Sequence, residues 1–142
     1  QKSLAIRPST WRKYIGPAYK AIYDVAHKAG KLVYMHTDGC IWPVMKDMQE
    51  AGADIINPQF RANGLENLER VCKGQIPICL DLDRQMFPFA SPEEIKKHIP
   101  PAAERLFLPE GGLWLTAECG ADVPLENIRA ICEGLRNAYN MK

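Results

Sequence analysis

The chain has 142 residues, 46% of them hydrophobic and 25% charged, with 18 basic and 17 acidic side chains and a formal net charge of +1. That length suits one ordinary domain with a sizeable core, and the composition excludes intrinsic disorder. The charge balance excludes the basic footprint of a nucleic-acid or anionic-membrane binder, and no apolar run nears the roughly 20 residues that span a bilayer.

The opening stretch "QKSLAIRPSTWRK" has the pattern of neither a signal nor a transit peptide. Without an initiator Met it is expected to be a piece of a longer chain. Trp11, Tyr14, Ile15, Ile22, Val25 and Ala26 recur at helical spacing over 8–31, with Ser9 as a cap candidate and a kink or restart at Pro17. Gly30 stops that helix. "KLVYMH" (31–36) reads as a strand, "CIWPVMKDMQEAG" (40–52) as a helix ended by Gly52, and "ADIINP" (53–58) as a short strand. "NGLENLERVCKG" (63–74) sets Leu65, Leu68, Val71 and Cys72 on one helical face. "IPICLDLD" (76–83) is the third strand.

"SPEEIKKHI" is a helix start: Ser91 caps, Pro92 takes the first helical position and Glu94 completes a capping box. "GGLWLTAEC" (111–119) is the fourth strand. "VPLENIRAICEGLRNAY" closes the chain as a helix expected to turn Leu125, Ile128, Ile131, Cys132 and Leu135 inward. Strands alternating with helices imply a parallel α/β sheet, covered on both faces or closed into a barrel. No linker, repeat or low-complexity tract divides the chain.

The five cysteines are odd in number and form no CxxC pair, so a disulfide framework is not expected. A reducing, cytoplasmic compartment is the matching expectation. Cys72, Cys79 and Cys132 read as buried small hydrophobes. Cys40 either packs at a helix start or forms a dipole-favoured thiolate there.

Parallel α/β folds collect their sites at the C-terminal ends of strands. Here those ends carry "HTDGC", "NPQFRANG", "DLDRQMFPF" and "ECGADVP", where the polar residues of the chain concentrate. His36 and Cys119 each end a strand and are natural zinc ligands at about 2.0–2.3 Å. Asp38 or Glu118 could add an oxygen ligand. The competing reading is a histidine bonded to a backbone carbonyl beside an inert thiol. Asp83 suits a general base or a ligand-orienting carboxylate, and Arg84 a bidentate carboxylate clamp. An ion pair with a strand cap explains both equally. Asn57, Gln59 and Gln85 are substrate-binding candidates, with loop capping as the alternative for the first two. His27 and His98 fall among lysines and read as solvated, and Trp42 and Trp114 as packing residues.

"HTDG", "LDLDRQMFPFASPEEIKKHI" and "GGLWLTAECGADVPLENIRAI" together resemble the C-terminal half of the uroporphyrinogen decarboxylase-like superfamily. That superfamily includes the decarboxylase of haem synthesis and methyltransferases that work with corrinoid proteins. The resemblance implies the second half of a (β/α)8 TIM barrel, a single partial domain with four parallel strands alternating with helices. It implies zinc-dependent methyl transfer from a methylated corrinoid, carried by a partner protein, to a thiol or similar acceptor. In that branch a histidine and a cysteine at the positions of His36 and Cys119 hold zinc, but the usual second cysteine is Asp38 here.

The alternatives are a uroporphyrinogen-type decarboxylase and a non-catalytic, truncated half-barrel subunit. Against the decarboxylase, its arginine-rich segment and catalytic aspartate have no counterpart in this chain. Glu118-Cys119-Gly120 also replaces its "G-H-G" histidine. A half barrel leaves two open strand edges and a bare inner face, so assembly with a missing N-terminal half or self-association is expected, around a small-molecule substrate.

Overall fold

The computed structural model describes residues 3–140. Its first helical stretch is continuous from Pro8 to Lys28 but not uniform. It comprises α1 (Pro8–Thr10), a π-helical segment (Trp11–Ile15) and α2 (Gly16–Lys28). The Gly16 amide donates to the Trp11 carbonyl, five residues back. This extra residue per turn sits directly ahead of Pro17, whose ring cannot follow an ordinary α-turn. The bulge shifts the phase of the helix. Trp11 and Tyr23 are buried, whereas Tyr14, Ile22 and Val25 are exposed, a correction to the face expected from spacing. Ser9 lies inside the first turn, and Pro8 opens the helix without a side-chain cap.

The remaining elements alternate as the sequence implies. β1 (Tyr34–His36) leads through a 3-10 turn (Trp42–Val44) to α3 (Met45–Glu50), then β2 (Ile55–Asn57). α4 (Phe60–Asn63) and α5 (Leu65–Cys72) precede β3 (Ile78–Asp81). α6 (Pro92–Leu106), β4 (Leu113–Thr116) and α7 (Leu125–Tyr139) complete the chain. The four strands pair in parallel in the order β1-β2-β3-β4. No helix among the described residues is long and apolar enough to cross a membrane.

Side-chain alternation divides the sheet. Met35, Ile56, Ile78 and Leu80 are buried in the core with the helices. Tyr34, His36, Trp114 and Thr116, at the alternate positions, are exposed. Of the two expected arrangements, a sheet covered on both faces or closed into a barrel, this is the pattern of part of a barrel: helices fill one side, and the side that would face the lumen is open at β1 and β4, while Cys79 and Asp81 on β3 are buried.

α6 begins with the capping box foreseen at Ser91 and Glu94. It runs on through Pro100 and Pro101, and no other helix pair packs as extensively as α6 with α7. On α7, Ile131 is buried and Ile128 and Leu135 pack against the core as expected, joined at the seam by Ala130, Gly134 and Ala138; Leu125 and Cys132 are exposed, a correction to the outer part of the expected face. Small residues set this seam. A Cβ at Gly134 would stand 2.5 Å from Cδ1 of Ile99, a side chain that is fully buried. Replacing Gly134 by Val should overpack this seam and lower the unfolding free energy by about 1–3 kcal/mol, measured by urea denaturation. An unchanged midpoint would show that the two helices do not depend on close approach.

Candidate functional site at the strand ends

Each strand delivers its last residues to one rim, and hydrogen bonds tie the four rim segments together. Gly39 turns the chain after β1 at φ +86, a region that favours glycine, and its amide donates to Gln59 Oε1 at 3.0 Å. Gln59 Nε2 donates to Asp38 Oδ1 at 2.6 Å. Asn63 is buried and fully engaged. Its Oδ1 accepts from the Ile41 and Trp42 amides at 2.8 and 3.0 Å, and its Nδ2 donates to the carbonyls of Gly39 and Gln59. It thereby fixes the "HTDGC" turn against the segment after β2. Asn63 was not foreseen as a site-building residue, because its partners are distant in sequence.

The next links run through arginines. Arg61 Nε donates to Asp83 Oδ2 at 2.8 Å, with Nη2 at 2.7 Å from the same oxygen and Nη1 3.3 Å from Gln85 Oε1. Arg84 pairs with Glu118 and lies 3.9 Å from Asp38 Oδ1. The His36 Nδ1 lies 3.2 Å from the Asn57 carbonyl. That contact requires the proton on Nδ1 and leaves the Nε2 lone pair available, 3.7 Å from Asp38.

The structure thus brings His36, Asp38, Arg84 and Glu118 into one mouth. Asn57, Gln59 and Gln85, the substrate-binding candidates, each make internal bonds: the Asn57 amide donates to the Cys79 carbonyl, Gln59 holds the β1 turn and Gln85 accepts from Arg61. Asp83 is held by Arg61, and its backbone amide donates to His98 Nε2 at 3.4 Å. His98, expected to be solvated, packs edge-on against Phe60 at 4.6 Å between ring centres. Burial holds its pKa below the ordinary value.

The zinc expectation meets a different geometry. His36 has the backbone-anchored tautomer of a metal ligand, but Asp38 is held by Gln59 and Glu118 by Arg84. The Cys119 thiol is exposed, and its pKa is raised by burial of the sulfur and by neighbouring Cys132. Among the described residues no three His, Cys, Asp or Glu side chains stand together as a ligand set. As arranged, these residues do not fit the ion.

Asp81, at the end of β3, is a carboxyl whose pKa moves up rather than down. It is 7% exposed and shares its strand face with Cys79. Burial raises its pKa, Asp38 and Asp83 push the same way, and Arg84 and His36 oppose. Below it, the Tyr34 hydroxyl is pushed up to about 12 by burial and by hydrogen bonding to Cys79.

A parallel α/β sheet with its polar residues gathered at the strand C-termini, helices on one face and an open lumen on the other is a partial (β/α)8 barrel. Residues 2–138 match the family described as Uroporphyrinogen decarboxylase (URO-D), and the chain belongs to that family. Among solved structures, a methyltransferase from Methanosarcina mazei matches with a TM-score of 0.62 at 18% sequence identity, over 94% of this chain and 38% of that one. The likeness is one of fold, and the chain spans well under half the length of that methyltransferase. Comparison with curated proteins gives no match.

Two substitutions test the site's construction. Asn63→Ala leaves the Ile41 and Trp42 amides without their acceptor and should cost about 1–3 kcal/mol of stability, read by urea unfolding. Asp81→Asn should stabilise the protein at neutral pH, because ionising a desolvated carboxyl penalises only the folded state. That gain should fade as pH falls through the window from the raised folded value down to the ordinary 3.8. A gain that persists below that window would refute the desolvation account.

Proposed function

We propose that this chain carries the substrate-binding mouth of a methyl-transfer enzyme of the URO-D family, acting on a small molecule held over the strand ends. The methyl group would come from a methylated corrinoid on a partner protein or from another small methyl donor. The observation that carries this reading is the state of the mouth arginines. Arg61 is committed to Asp83 and Arg84 to Glu118, so neither guanidinium is free to clamp the carboxylates of a porphyrinogen. A decarboxylase for a polyanion needs unpaired cations, and this mouth offers carboxylates instead. The methyltransferase of similar fold points the same way.

In this reading Asp83 and Arg84 shape the mouth through their ion pairs, and Asp81 is the carboxyl able to take or release a proton next to the bound molecule. Gln59 and Asn57 hold the rim that receives it. No step is assigned to zinc. The open lumen face and two free strand edges support a barrel completed by further polypeptide, either a separate N-terminal half or a second copy.

The reading is tested by supplying methylcobalamin and a panel of thiol and amine acceptors to the purified protein and following loss of the methyl–cobalt absorbance. A parallel reaction tests carbon dioxide release from uroporphyrinogen. Acceptor-dependent demethylation, reduced about tenfold or more in Asp81→Asn as expected for loss of an acid–base group, supports the proposal. Carbon dioxide release without demethylation would overturn it.

A further inference from the structure

The mouth contains acceptor atoms that no donor satisfies. Asp81 lies on the lumen side of β3, more than nine-tenths buried, and no side-chain hydrogen bond reaches its carboxyl among the described residues. Asp83 Oδ1 also lacks a partner, but it is closed off from solvent. Both residues line one cleft of about 30 Å³, together with Gln59, Arg61 and Arg84. The cleft adjoins a wider opening of about 670 Å³ walled by Pro88, Phe89 and Glu118. A carboxyl as buried as that of Asp81, without a donor, is costly, and its place in the lining of a small cleft points to a donor that enters there.

Charge narrows the choice. The mouth holds five carboxyl groups, on Asp38, Asp81, Asp83, Glu118 and Asp122, against the two guanidinium groups of Arg61 and Arg84. Arg61 binds Asp83 through Oδ2, leaving Oδ1 free of donors, and Arg84 is turned to Glu118 with Asp38 at 3.9 Å. After this internal pairing the residual charge is negative and lies at Asp81, Asp38 and Asp122. An anionic ligand would meet that charge without a free cation to hold it. A neutral donor would leave it uncompensated. The cleft is of the size that takes one water-sized head group, and the wider opening, with Phe89 86% exposed on its wall, has room for an apolar remainder.

We propose that the mouth binds a small protonated amine, whose ammonium group enters the cleft and donates to the Asp81 carboxylate. This names the substrate class of the methyl-transfer reading and rests on that reading for its role in turnover, with the amine as methyl donor or methyl acceptor. Asp81 is then the counter-charge that selects an N–H-donating cation, and the same carboxylate is the base that can take a proton from that ammonium when the amine is to accept the methyl group. Arg84 acts in the opposite sense, since it competes with the ligand for the same negative field.

The test is isothermal titration calorimetry of the full chain with methylammonium chloride at constant ionic strength, with sodium acetate as the anionic control. Saturable methylammonium binding is expected, with none for acetate. Asp81→Asn should weaken it about tenfold or more, the size of a lost charge-assisted hydrogen bond, while circular dichroism confirms an unchanged fold. Arg84→Met should tighten it, which gives an independent variant of opposite sign. Absence of saturable methylammonium binding, acetate binding in its place, retention of affinity in Asp81→Asn, or loss of affinity in Arg84→Met would each overturn the proposal. The titration involves no turnover, so it can fail while methylcobalamin demethylation succeeds, and the reverse.

Discussion

Everything in this molecule depends on a parallel sheet that is covered on one face only. Strand side chains alternate, so a single choice of which face meets the helices fixes two properties together. Met35, Ile56, Ile78 and Leu80 go into the core with the helices, each contributing roughly 1.5–3 kcal/mol by burial. The residues between them, Tyr34, His36, Cys79, Asp81, Trp114 and Thr116, are committed to the other side. A slip of one residue in any strand would exchange the two sets. The core and the candidate site are therefore not separate achievements of the sequence. The apolar half of the alternation builds the first, and its polar half is left to build the second.

That coupling explains what could be read in advance. The order of elements, the strand ends as the polar rim, and the gathering of His36, Asp38, Arg84 and Glu118 all follow from alternation and from parallel pairing. The Ser91 capping box is local and was legible for that reason. The helix faces were legible in part: Leu65, Leu68, Val71 and Cys72 of α5 pack inward as their spacing implies, but two other helices depart from theirs. In the first helix, the π segment at Trp11–Ile15 offsets the apolar spacing by one residue, leaving Ile22 and Val25 outside. In α7, bulk suggested Leu125 and Cys132 as inward, but Gly134 against Ile99 allows an approach that only small residues permit. Hydrophobicity alone cannot detect a seam chosen for closeness.

Asp81 was legible in part. In "ICLDLD" the residues Ile78, Leu80 and Leu82 share one parity, and Cys79, Asp81 and Asp83 the other, which marks Asp81 as lumen-facing. Its burial has no local sequence signal, because residues distant in sequence, such as His36, Asp38 and Gln59, gather around it. Cys119 shows the converse. Its position after the last strand suggested partnership with His36, yet the thiol has Cys132 of α7 as the neighbour that raises its pKa.

The rim itself is held by links between sequential neighbours: the β1 turn to Gln59 and Asn63, Arg61 to Asp83 and Gln85, Arg84 to Glu118. Each strand-end segment is tied to the next, so the rim is a belt following the order of the sheet. Most of its carboxylates and amides are consumed by the belt, which is why candidates chosen for chemical type, such as Gln59 or Asp83, turn out to be structural members. A ligand can be recognised only by groups that the belt leaves over. Asp81 is left over because it lies on the strand floor, where no side chain among the described residues donates to it. In the proposed amine complex, the same desolvation that makes this carboxyl costly would strengthen the bond from any donor that reaches it, so selectivity would be set by the part of the mouth that folding leaves unsatisfied.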